Sequence, residues 1–140
     1  MVDNTELINS FVRNFIQKDK RERCFNQLTG SKYHKKFTIK LNHNWDDFFN
    51  MKLLNELERN QHSYSNVQQF LKLKDTELCY IISDEEIDNT FLPFIEAFEK
   101  TNSAYFGTLL INLTANKLFL KTEETQNTLR FIGIAKPILP

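Results

Sequence analysis

Glycine and proline are scarce in this 140-residue chain, three of each. That scarcity excludes collagen-like and low-complexity repeats. Gly30, Gly107 and Gly133 stand apart, whereas a phosphate-cradling or dinucleotide-binding loop needs glycines close together so that backbone N–H groups can approach an anion. Cysteine is nearly absent too. Cys24 and Cys79 lack the paired spacing of a zinc site or redox motif, and both sit in apolar-leaning segments that suit buried free thiols. There is no G-x-S-x-G nucleophile elbow, and His34, His43 and His62 lack the i, i+4 pairing that puts two imidazoles on one side of a metal. No window approaches the roughly 18 apolar residues of a membrane span. The start, Met1-Val-Asp-Asn-Thr-Glu, has no basic region ahead of an apolar one and does not read as a signal peptide, so the expected location is cytoplasmic. Net charge is absent as well: 18 basic and 18 acidic side chains cancel, leaving no overall field to draw the molecule onto nucleic acid or an anionic membrane.

What is present is a large apolar supply. Apolar residues make up 41% of the chain and 13 are Phe, enough for a core without disulfide or metal. The length predicts one domain over residues 1–140, with a helical half at about 1–74 and a sheet half at about 75–136. Leu7, Ile8, Phe11, Val12, Phe15 and Ile16 recur every four residues as one helical stripe. Asp19 with Glu22 resembles a capping box for a second helix through Cys24 and Leu28, ended by Gly30. Ser31 is placed to cap a third helix with Tyr33, Phe37 and Leu41 facing inward. Asn44 with Asp47 predicts a fourth, its stripe running through Phe49, Leu53 and Leu57, and Ser65 with Gln68 a fifth.

From Glu77 the pattern changes. Leu78 to Ile82 is continuously apolar and short, which predicts a strand buried on both faces. Pro93 suits the first turn of a helix to about Asn102, with Phe94, Ile95 and Phe98 inward. Leu109 to Leu113 and Leu118 to Thr122 read as a hairpin, and Thr128 to Ile134 as a last strand before an irregular tail with Pro137 and Pro140. The expected class is α+β: a run of short helices packed with a mainly antiparallel sheet in the order strand, helix, strand, strand, strand.

Three clusters are candidates for chemistry. His43 beside Trp45, Asp46 and Asp47 reads as an acid–base pair or as a turn and helix cap. Asp84, Glu85, Glu86 and Asp88 read as oxygen ligands for a divalent ion or as a solvated loop. The third is basic. Residues 1–40 hold nine Lys/Arg against four acids, +5, which leaves −5 over residues 41–140. Lys18, Lys20, Arg21, Arg23, Lys32, Lys35 and Lys36 form this candidate partner-binding set, interleaved with Phe15, Phe25, Tyr33 and Phe37. It reads as a solvated face, a protein-docking patch, or a phosphate-binding surface with aromatic stacking, although these four aromatics fall on the inward stripes and read as core.

The runs Phe11-Val-x3-Ile-x4-Arg21-Glu-Arg-x4-Leu28, Lys36-Phe-x3-Leu41-Asn-His43, Tyr80-Ile-Ile-Ser83 and Phe106-Gly-Thr-Leu-Leu110 resemble a group of small uncharacterised bacterial proteins. Proteins of that kind are similar to immunity or antitoxin partners. The missing catalytic motifs, the single domain and the charge segregation point to a non-enzymatic protein-binding module with a protein partner, no cofactor and no membrane, and the resemblance adds to that reading. Nucleic-acid binding through the basic helices is the alternative, and a metal-dependent enzyme using Asp84 to Asp88 with His43 as base is the third.

Overall fold

A computed structural model of the chain describes residues 4–136; the amino-terminal residues 1–3 and the tail at 137–140, expected to be irregular, lie outside them. Helix α1 (Thr5–Phe15) forms on the predicted stripe, burying Leu7, Ile8, Phe11, Val12 and Phe15. A 3-10 turn at Lys18–Lys20 leads into α2 (Arg21–Thr29). Then come α3 (His34–His43) and a four-residue α4 (Trp45–Phe48). Strand β1 (Leu54–Glu56), α5 (Tyr64–Leu71), β2 (Leu78–Ser83), β3 (Thr90–Pro93) and α6 (Phe94–Ser103) follow. The chain closes with β4 (Thr108–Asn112), β5 (Lys117–Lys121) and β6 (Arg130–Ile134).

Among the described residues, six strands make one antiparallel sheet in the order β1-β6-β5-β4-β2-β3. Alternation along each strand sends neighbours to opposite faces. Tyr80, Ile82, Leu109, Ile111, Leu118, Leu120 and Phe131 join the core beneath α1 to α4, while Cys79, Ile81, Leu110, Phe119 and Ile132 join a second core beneath α5 and α6. The α+β class holds, and helices cover both faces of the sheet. That is why β2 and β4 are apolar on successive positions.

Several expectations fail locally. The fourth helix stops at Phe48, because Phe49 turns extended and bridges Ile16, and Asn50 donates its N–H to the Phe15 carbonyl at 2.7 Å. Residues 54–56 then pair with β6, so backbone partners at the sheet edge override the helical spacing of Phe49, Leu53 and Leu57. The short edge strand β3 is a further departure, since the sequence places only a loop and a helix start over these residues. Asn89, at φ 59°, makes the turn into it, and Pro93 sits at its end, where a missing N–H does no harm. Asp19 and Ser31 are not at N-cap positions, and Asn44 stands at the N-cap of α4 as expected but makes no capping hydrogen bond; α2, α3 and α4 all start without a side-chain cap, and α5 is capped by Ser63, not Ser65. Tyr33 and Ile95 point outward, with Ala97 buried on α6 in place of Ile95.

Candidate interaction surface

The basic residues gather where α2 turns into α3. Lys18 and Lys20 lie on the 3-10 turn, Arg21 and Arg23 on α2, Lys32 in the connection, and Lys35 and Lys36 on the first turns of α3. Among the described residues, two of the seven make a side-chain hydrogen bond or ion pair within the fold. Arg21 donates from Nε to the Ile16 carbonyl at 3.0 Å, closing the end of α1, and Lys20 lies 3.6 Å from Asp47. Among the described residues, Lys18, Arg23, Lys32, Lys35 and Lys36 are exposed and form no ion pair.

The aromatic residues divide. Phe15 and Phe37 are fully buried and Phe25 packs against the same core, as the inward stripes predict. Tyr33 is 43% exposed, and the ammonium groups of Lys36 and Lys32 stand 4.8 and 5.5 Å from its ring centroid. The ring's negative face attracts both cations and holds them together on one surface. Beside it runs an open groove of about 500 Å³, lined by Asp19, Lys20, Glu22, Arg23, Gln27 and Tyr33. Tyr33's outward position carried no sequence signal, because its spacing to Phe37 and Leu41 is that of a core residue.

The other two clusters resolve into internal contacts. In the acidic loop, Asp84 accepts from Thr38 Oγ1 at 3.3 Å, Glu85 from the Phe106 N–H at 2.8 Å, and Asp88 from the Ser83 N–H at 2.9 Å. Asp88 also lies 2.7 Å from Nε2 of His34. These carboxylates pin the loop to α3 and to the start of β4, and among the described residues no group of three or more His, Cys, Asp or Glu is placed to hold a metal ion. His43 pairs with Glu123 at 3.6 Å, not with Asp46 or Asp47.

Lys121 and Tyr80 are polar side chains enclosed by the fold, and no local pattern in the sequence marks them. Lys121, with no solvent exposure, donates to the Ala104 carbonyl at the end of α6 and pairs with Glu124 at 2.8 Å. This places a cation at a helix C-terminus. Tyr80 donates to Asn89 at 2.6 Å and accepts from Asn4 at 2.8 Å, tying the start of α1 to the β2–β3 turn. The thiols are free, buried, and separated by the sheet: Cys24 belongs to the core under α1 to α4 and Cys79 to the other. Burial pushes Cys24 up to about 11 and Cys79 up to about 12, far from the range of a nucleophilic thiolate.

Among the described residues no helix is long and apolar enough to cross a membrane. No family model, curated protein or solved structure matches the chain.

Proposed function

We propose that this chain is a non-enzymatic protein-binding module that docks an acidic segment of a partner protein on the α2–α3 corner, in the manner of bacterial immunity or antitoxin proteins. The observation that carries the reading is the set of exposed cations without ion pairs, Arg23, Lys32, Lys35 and Lys36, gathered around exposed Tyr33. Tyrosine and arginine are enriched at interface cores, so Tyr33 and Arg23 supply the anchor, and the lysines around them steer and register the partner. Asp19 and Glu22 in the adjoining groove favour a polypeptide of mixed charge over a uniformly anionic backbone.

The test is a tagged pull-down from the native host at low and high salt, comparing wild type with a Lys32→Glu, Lys35→Glu, Lys36→Glu triple variant. A stoichiometric protein captured by wild type and lost by the variant supports the reading. The same protein retained by the variant refutes it.

Nucleic-acid binding is the second reading, favoured by Tyr33 between Lys32 and Lys36, an arrangement on which a base can stack. It predicts that nucleic acid co-purifies at low salt and that the logarithm of affinity falls with the logarithm of salt by roughly 0.9 per phosphate contacted.

A further inference from the structure

Both ring nitrogens of His34 face acceptors. Nδ1 lies 3.2 Å from the carbonyl oxygen of Leu28 in the last turn of α2, and Nε2 lies 2.7 Å from Oδ2 of Asp88 in the β2–β3 loop. A carbonyl and a carboxylate have no proton to give, so each contact requires an N–H from the ring. Neutral imidazole carries one N–H and satisfies one contact; imidazolium satisfies both. The other oxygen of Asp88 takes the Ser83 N–H at 2.9 Å, which holds the carboxylate in place whatever the state of the ring. We propose that His34 is a proton-operated clasp between the α2–α3 corner and the β2–β3 loop, closed while the ring carries both protons and slackened when the second one leaves.

The groups around the ring agree. Asp88 is the charged group in contact with it, and Asp84 of the same loop is held by Thr38. From α2 comes the uncharged Leu28 carbonyl, and the Tyr80 phenol of β2, which feels the charge of Asp88, is kept neutral by burial and by that charge. Lys35 and Lys36, on the same helix as His34, are exposed. The hydrogen bond to Asp88 raises the His34 pKa above its ordinary 6.5, against the opposing effect of burial. A raised value means that the clasp contributes fully below pH 6.5 and is lost as pH rises through the folded-state value. Lys32, Tyr33, Lys35 and Lys36 flank His34, so slackening the clasp alters how this surface is presented, whatever it binds.

The test is a pH titration of the histidine ring resonances by NMR in wild type and Asp88→Asn, with His43 and His62 as internal references. Amide hydrogen exchange over residues 29–38 and 84–89, corrected for intrinsic rates, is followed in wild type and His34→Gln. The expected result is a His34 midpoint above 6.5 that falls in Asp88→Asn. Exchange in both segments should also speed up on the order of tenfold as pH passes the wild-type midpoint, the equilibrium weight of one charge-assisted hydrogen bond. In His34→Gln that step is absent. A midpoint at or below 6.5, no change in Asp88→Asn, or the same exchange step in His34→Gln overturns the proposal.

Discussion

Replacing Gly107 by alanine measures how closely α3 is seated on the start of β4. A Cβ there would stand 2.6 Å from the carbonyl oxygen of Leu41 and 3.1 Å from Oδ1 of Asn42. The first distance is well inside the roughly 3.3 Å of a close carbon–oxygen contact. No glycine among the described residues has positive φ, so the penalty is collision and not backbone conformation. The obstructing atom is main chain, and the Gly107 N–H is itself bound to Asn42 Oδ1 at 2.6 Å, so relief requires moving the end of α3 off the sheet. Overpacking costs about 1–3 kcal/mol, and a main-chain obstacle places this variant near the top, at about 3 kcal/mol. For a chain of this size that lowers Tm by about 10 °C. At Gly133 the added Cβ meets side chains, Leu54 at 2.9 Å and Leu118 and Phe15 at 3.0 Å. Side chains yield more readily than main chain, so Gly133→Ala should lose about 1 kcal/mol. Thermal unfolding followed by circular dichroism separates the two. A Gly107→Ala protein melting within about 2 °C of wild type, or one more stable than Gly133→Ala, would refute the reasoning.

Further outcomes follow from the buried groups. Lys121→Met should destabilise by about 1–3 kcal/mol in denaturant titration, because the Ala104 carbonyl at the end of α6 loses its donor. Glu124→Gln removes only the half-exposed partner and should cost under about 1 kcal/mol. The hydrogen bond from Lys121 holds Glu124 below its ordinary 4.5, so that small contribution is complete above pH 4.5 and disappears as pH falls through the folded-state value; wild type and Glu124→Gln should melt alike in acid. Phe119→Ala, which empties the site against Phe98 with ring centroids 5.1 Å apart, should cost about 3–5 kcal/mol, and a loss under about 1 kcal/mol would mean that this core is loosely packed. Cys24 and Cys79 should resist a thiol reagent at pH 8 in the native protein and both react after unfolding; fast native labelling of either would contradict their burial.

The elements legible in the sequence were those with a strong local period. Helix α1, with five buried residues on one stripe, and the β4–β5 hairpin around Thr114 to Asn116 come from patterns that any packing must respect. Strand β1 was not legible, because Phe49, Leu53 and Leu57 are spaced as a helix and pairing with β6 outweighs three residues of propensity. The missing capping hydrogen bonds at Asp19, Ser31 and Asn44, the last of which does hold the N-cap position of α4, share one cause: short helices packed by their apolar faces start where the fold delivers the chain, with or without a capping side chain. The candidate surface was half legible. The cations could be counted, but their joint placement, the outward turn of Tyr33 and the use of Arg21 and Lys20 inside the fold could not.

By itself the sequence determined the α+β class, the positions of most helices and of the central strands, and the lack of any local motif for phosphate, nucleotide or covalent chemistry. Each of these follows from residue identity at short range: periodicity decides which side of an element is apolar, and motif chemistry needs particular residues at close spacing. Tertiary structure alone decided that helices cover both faces of the sheet, that an edge strand comes out of the helical half, and that His34 meets Asp88 across 54 positions of sequence. Such contacts depend on how apolar faces and unpaired backbone groups find partners once the chain is compact, and no local stretch of sequence encodes that pairing.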